Sequence, residues 1–176
     1  MSKKVLKIIG AVALFLAIGI AYLSYINTSL NSSDKVSLMG ITIEYNRPSV
    51  RGRLIFGPTK EALLPYGVYW RLGANESSTI EFTKDVQFNE LPVGAGKYKI
   101  YAVPGADFFE ISLNKDWDTW GAAEPDYSQD LVKTRVEVAK NPLVELFTME
   151  LKQSDDLINL DIYFADVKLQ IPIKII

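Results

Sequence analysis

The segment VKLQIPIKI, residues 167–175, alternates without a break: Val167, Leu169, Ile171, Ile173 and Ile175 fall on one side, and Lys168, Gln170, Pro172 and Lys174 on the other. A period of two is the pattern of a strand with one face on a core and the other in water. INLDIYF, just upstream, alternates likewise, with Ile158, Leu160, Ile162 and Phe164 on one face. The short step Ala165–Asp166 between the two runs predicts a C-terminal hairpin. Pro172 has no N–H to donate and predicts an edge or an irregular pairing. STIEFT, KYKIYAV, FEISLN, LVKTRVEV and LVELFTMEL are further strand-like runs, separated by Gly, Pro, Asn and Asp clusters. TKEAL, residues 59–63, alone suggests a helical turn. About eight to ten strands in roughly 140 residues predict an all-β domain, an antiparallel β-sandwich or jelly roll, over residues 36–176.

A different pattern precedes it. From Ile8 to Ile26 the chain runs 19 residues without a charge, behind a basic flank of Lys3, Lys4 and Lys7. As a helix this run is roughly 28 Å long, close to a hydrocarbon core of about 30 Å. Tyr22 and Tyr25 sit near its far end, where amphipathic rings favour the membrane interface. Residues 1–26 are therefore expected to be one N-terminal transmembrane helix, a signal-anchor. The lysines hold its start in the cytoplasm and place the domain outside, periplasmic or at the cell surface. The competing reading is a cleaved signal peptide, with Gly19 and Ala21 as a small-x-small cleavage site. The apolar run continues past Ala21, which favours the uncleaved anchor. NTSLNSSD then reads as a polar linker over residues 27–35. Asn27, Asn31 and Asn75 open glycosylation sequons, read as chance occurrences.

Composition excludes several chemistries. The chain has no Cys and no His, which removes disulfides, the usual zinc sites, thiol nucleophiles and Ser-His-Asp triads. Past the N-terminal segment, 16 Lys and Arg face 21 Asp and Glu. A net negative domain argues against nucleic acid as a partner. No cofactor is expected.

Several motifs carry candidate chemistry. GAGK, Gly94–Lys97, resembles part of a phosphate loop but lacks its spacing and precedes a strand, so a hairpin turn is expected, with Tyr98 bonding back over a sheet corner. Asp116, Asp118, Glu124 and Asp126 are acidic but do not follow calcium-loop spacing. Trp117 and Trp120, in NKDWDTWG, could form a stacking platform for a sugar or a base, or pack beneath a loop. NRPSVRGR places Arg47, Arg51 and Arg53 within seven positions. Read as a strand, all three share one face. Such a face needs carboxylates of the same fold or a bound anion.

YNRPSVRGRLIFG, LLPYGVYWRLGANESSTI and NKDWDTWG occur in that order. Together they resemble a bacterial envelope family filed as domain of unknown function 2911 (DUF2911), over roughly residues 36–176. WRLGANES is the most specific piece. The resemblance implies a secreted or membrane-attached β-rich domain and carries no activity. Two residues more than is usual in that family precede AGKY. Within YWRLGANESS, Trp70 and Leu72 suit a core, Arg71 shares the Tyr69 face, and Gly73 and Asn75 tolerate positive φ.

Three function classes follow. The first is a binding module for an anionic or glycan ligand of the envelope, using Arg47, Arg51, Arg53, Arg71, Asn75 and Glu76 with Asn114, Lys115, Trp117 and Trp120. The second is a structural or assembly partner in the envelope, marked by an exposed apolar patch or edge strand and no pocket; the arginines themselves could instead pair with Glu76 and other acids in a structural network that fixes the register. The third is a hydrolase working without His or Cys through Glu76 or Asp116. No catalytic residue and no metal ligand stands out, and the binding module ranks first.

Overall fold

A computed structural model describes residues 3–30 and 32–176; the side chains of residues 3–8, 11 and 24–30 lie outside the described set, and with them the lysine flank and Tyr25. The chain opens with α1 (Lys3–Leu30). Among the described residues, no helix is long and apolar enough to cross a membrane. The helix continues to Leu30 and β1 begins at Ser33, so regular structure takes up most of the expected linker at 27–35.

The remainder is mostly antiparallel β, in open sheets. Its strands are β1 (Ser33–Leu38), β2 (Ile41–Asn46), β3 (Phe56–Gly57), β4 (Leu64–Pro65), β5 (Thr79–Phe82), β6 (Val86–Phe88), β7 (Leu91–Val93), β8 (Gly96–Val103), β9 (Phe108–Asn114), β10 (Asp130–Glu137), β11 (Ala139–Ser154) and β12 (Leu157–Ile175). One sheet has the order β1-β2-β5-β8-β9-β10, the other β11-β12-β6-β7, and β3 and β4 form a small parallel pair. Alternation decides the facing. Ile41, Ile43 and Tyr45 of β2, Ile80 and Phe82 of β5, and Tyr98, Ile100 and Ala102 of β8 are buried in the same core cluster as Ile171 and Ile173 of β12. TKEAL forms a single turn, closed by the Ala62 N–H on the Thr59 carbonyl at 3.1 Å, and no helix.

Three local expectations are corrected. Residues 157–175 form one strand, not a hairpin. Buried positions run 158, 160, 162 and 164, then 167, 169, 171 and 173, so the phase does change at Ala165–Asp166. The change is absorbed by Ala165 at φ +53 while the strand continues. The hairpin lies instead between β11 and β12, where Ser154 faces Leu157 across Asp155–Asp156. Pairing with β11 ends at Lys168 and β6 pairs only with Ile173–Ile175, so Pro172 stands where one side of β12 is unpaired.

GAGK is a corner, not a hairpin, because β7 and β8 belong to different sheets. The Tyr98 hydroxyl donates to the Gly94 carbonyl at 2.9 Å, bracing that corner as expected.

NRPSVRGR is not a strand. After Asn46 the chain leaves β2, and Arg51 and Gly52 turn it back with φ +50 and +67, closed by the Arg53 N–H on the Val50 carbonyl at 3.0 Å. Two consecutive left-handed residues end any strand alternation. The turn is pinned to β11: Val50 N–H donates to the Glu145 carbonyl (2.8 Å) and Phe147 N–H to the Pro48 carbonyl (2.9 Å). β11 supplies these bonds because its pairing with β12 shifts register twice between Lys140 and Thr148, bulging that stretch away from β12.

The core centres on Trp70, whose ring lies 5.4 Å from Phe56, 5.2 Å from Phe147 and 6.1 Å from Phe164. Phe164→Ala should destabilise the domain by about 3–5 kcal/mol, from lost burial and the cavity left among these rings. Urea unfolding of the purified full chain, followed by tryptophan fluorescence, measures it; a loss below about 1 kcal/mol would show that the cluster is not the centre of the core.

Candidate functional site

The turn at 51–52 and the segment Trp70–Ala74 border one pocket of about 280 Å³. Trp70 points into the core and is held between strands by reciprocal backbone bonds with Ala102 at 2.8 Å. Alternation turns the next side chain, Arg71, outward. Arg51 and Arg53 line the same pocket as Arg71, and Trp70, Phe164, Leu63 and Leu64 contribute apolar lining. No carboxylate lines this pocket. Arg51 Nε donates to Ser49 Oγ at 3.0 Å, Arg53 donates to the carbonyls of Val50 (3.1 Å) and Ser49 (2.6 Å), and Arg71 donates to the Asn75 carbonyl at 3.0 Å. Glu145 is the nearest acid in the bonding network, and it takes the Arg51 backbone N–H at 2.8 Å. Among the described residues none of these three guanidinium groups forms an ion pair. The pocket therefore carries three positive charges held by neutral acceptors.

The other expected site residues fall elsewhere. Arg47 is a strut: it pairs with Asp34 at 3.4 Å and donates to the Phe147 carbonyl (3.1 Å) and Thr148 Oγ1 (2.9 Å), tying β2 to β11. Glu76 does not neutralise the arginines; it accepts from Asn46 Nδ2 at 2.9 Å. Asn75 sits at φ +58 and offers its carbonyl, not its side chain, to Arg71. Asn114 is buried and bonds the Asp126 carbonyl and Asp130 Oδ1, each at 2.8 Å. Lys115 and Trp120 are exposed outside both concavities described here. No group of three or more metal-ligating side chains occurs among the described residues.

Trp117 belongs to a separate cleft of about 750 Å³ on the outer face of the six-stranded sheet. Glu76, Asn46, Glu44, Thr79, Lys97 and Asp118 line it with Trp117. The single site expected from the sequence is thus two, divided by the chain between Arg71 and Ser77.

Sequence reasoning missed the polar layer that supports this wall. Residues 115–129 fold over the outer faces of β8 and β9 and bury Lys99, Ser112 and Asn114 completely. Lys99 Nζ donates to Thr119 Oγ1 (3.2 Å) and the Ala123 carbonyl (3.4 Å) and lies 5.5 Å above the Tyr69 ring. The Tyr69 hydroxyl donates to the Gly121 carbonyl at 3.0 Å, and Ser77 Oγ to the Thr119 carbonyl at 2.6 Å. A Cβ on Gly121 would lie 2.5 Å from the Asn75 and Glu76 carbonyl oxygens, so only glycine lets the two segments approach this closely. The signal was present in KYKIYAV, whose outward positions hold Lys97, Lys99 and Tyr101, but nothing local says that a loop covers them.

Together these features define a helix-led, antiparallel β-rich domain in which the arginine pocket and the Trp117 cleft are of opposite charge. The chain belongs to the family described as protein of unknown function (DUF2911), which residues 28–173 match. No curated protein and no solved structure matches the chain.

The buried phenols make an alkaline limit. Burial pushes Tyr45 up to about 12 from the ordinary 10 and raises Tyr69, Tyr98 and Tyr101 as well, while Tyr127, exposed at the surface, is raised to about 12 by partial desolvation and its bond to Glu124. The folded chain holds these protons where the unfolded chain has lost them, so their contribution is intact below pH 10 and is lost as pH rises above it. Burial lowers Lys99, whose cost eases toward 10.5, but one amine opposes five phenols. The urea midpoint should fall steadily above about pH 10, and Tyr101→Phe should flatten the fall. A midpoint that does not change between neutral pH and pH ~11 would contradict the burial of these hydroxyls.

Proposed function

We propose that the protein is a membrane-anchored binding module of the bacterial envelope, its domain a two-layered β-sandwich outside the cytoplasm that holds an anionic ligand between Arg51, Arg53 and Arg71. The observation that carries this is three guanidinium groups lining one pocket without a carboxylate among them. A planar guanidinium offers paired N–H donors that match a carboxylate or phosphate bidentately. A volume of about 280 Å³ suits a small anion, or the charged end of a larger one. The sandwich reading is supported by the shared core of the two sheets. The anchor reading is supported by the uncharged run Ile8–Ile26. Consecutive residues Leu14, Phe15 and Leu16 are each more than half exposed, so apolar surface faces outward around α1. A helix apolar all round wants a lipid or protein surround.

Two measurements test the proposal. Titration of the full chain with inorganic phosphate and with acetate should show binding that weakens as salt is added, because the guanidinium groups of Arg51 and Arg53 are exposed to screening. Arg51→Ala and Arg53→Ala should each weaken it roughly tenfold to a hundredfold with little loss of stability, and Lys at either position should not restore it. Unchanged binding in both Ala variants sinks the anion reading. For the anchor, carbonate extraction should leave the chain in the membrane pellet, and protease added to cells with a permeable outer layer should digest the β domain. Recovery of the intact domain in the soluble fraction would instead support cleavage near Ala21.

A further inference from the structure

We infer that the cleft on the outer face of the six-stranded sheet is a second, separate binding site, and that its ligand is a neutral saccharide stacked against Trp117 and hydrogen-bonded to Asn46, Glu76, Thr79 and Asp118. The cleft floor is built, not merely exposed. Register places Lys35, Glu44 and Thr79 side by side across β1, β2 and β5 on the face opposite the core, and all three line the cleft. Asn46 and Thr79 line the cleft, yet each is more than nine-tenths buried. The Thr79 hydroxyl has no hydrogen-bond partner among the described residues. Asn46 donates one side-chain amide N–H to Glu76 Oε2 at 2.9 Å, which leaves Asn46 Oδ1 and Glu76 Oε1 free to accept.

Charge and shape narrow the ligand. Asp34, Glu44, Glu76 and Asp118 line the cleft against Lys35 and Lys97, so the lining is net negative, unlike the arginine pocket. An anion is disfavoured there. The free groups are mostly acceptors beside one hydroxyl, which calls for a ligand dense in donors that can also accept, as sugar hydroxyls do. The Trp117 ring, 39% exposed, supplies an apolar wall for the C–H face of a sugar ring. Its orientation is fixed: Lys97 Nζ lies 4.8 Å above the ring and is itself held by Glu44 at 3.1 Å. The Ser77–Thr119 bond at 2.6 Å ties the loop carrying Trp117 to the floor beside Glu76. Such a wall is ordered before the ligand arrives, which lowers the entropy cost of binding. At about 750 Å³ the cleft has room for a short oligosaccharide.

The site does not depend on the arginine pocket, and the test separates them. The full chain, in a zwitterionic detergent without a sugar head group, is titrated with maltopentaose, cellopentaose, xylopentaose and chitopentaose, with calorimetry and tryptophan fluorescence as readouts. At least one should bind and perturb the fluorescence. Trp117→Ala, Glu76→Gln and Thr79→Val should each weaken binding, Trp117→Ala by about tenfold or more. Arg51→Ala and Arg53→Ala should leave it unchanged. Thr79→Val keeps shape and removes only the hydroxyl, so it gives an answer even if Trp117→Ala disturbs the loop. Absence of binding by all four sugars at millimolar concentration overturns the inference, as does binding that is indifferent to the three cleft variants or is lost with the arginines.

Discussion

The ring cluster around Trp70 is the contact on which the rest of the molecule depends. Phe56, Phe109, Phe147 and Phe164 come from β3, β9, β11 and β12, so one indole touches side chains from both large sheets and the small one. Most of these pairs are edge-on, and Phe164 alone stacks, at 17°. Each such pair contributes roughly 0.5–1.5 kcal/mol beyond the area it buries. Trp70 belongs to no long strand; a bridge to Ala102 fixes it to β8. Fixing Trp70 fixes the direction of Arg71, and through Phe147 and the bulge in β11 it fixes the turn that carries Arg51 and Arg53. The pocket is positioned by the core, although its charged groups lie at the surface.

The outer face of the six-stranded sheet obeys a different rule. Its inward side is apolar, while its outward side under residues 115–129 is a buried polar layer of Lys99, Tyr101, Ser112 and Asn114. Polar groups can be buried there only because nearly all of them are bonded. Tyr101 donates to Asp130 at 2.7 Å and Asn114 reaches both Asp126 and Asp130. Ser112 Oγ is the buried atom that lacks a partner among the described residues. This layer is stiff where a loop would otherwise be loose, and it sets the height of the Trp117 wall above Asn46 and Thr79.

The legible part of the fold was what alternation alone determines. The strands β5, β8, β9, β10 and β11 stand where the strand-like runs place them, both alternating halves of β12 are extended though joined as one strand, and Trp70 and Leu72 are buried as their neighbours require. Turns were misread where unusual residues occupy them. Met39–Gly40, Arg51–Gly52 and Asn89–Glu90 are all left-handed pairs, and Met, Arg and Glu are not residues that announce positive φ. The hairpins β1–β2 and β6–β7 were therefore missed, and the arginine turn was read as a strand. Ala165 misled in the opposite sense: a phase change in the apolar pattern fits a bulge as well as a turn. At the site, residue types were legible and their partners were not, because contacts such as Tyr69 with Gly121 span 52 positions of sequence.

The separation of charge between the two concavities comes from a few residues of backbone. Arg71 and Glu76 lie five positions apart, close enough in sequence to suggest that they neutralise each other. They do not, because Leu72, Gly73 and Asn75 all take positive φ and turn the chain between them. Gly73 is pressed so closely to β2 that a Cβ would lie 2.8 Å from the Asn46 carbonyl. That contact carries Glu76 round to the outer face of β2, where Asn46 satisfies it, and leaves Arg71 behind on the side of the arginine turn. The kinked GAN turn lets one short stretch furnish an unneutralised cation to one pocket and a bonded carboxylate to the other.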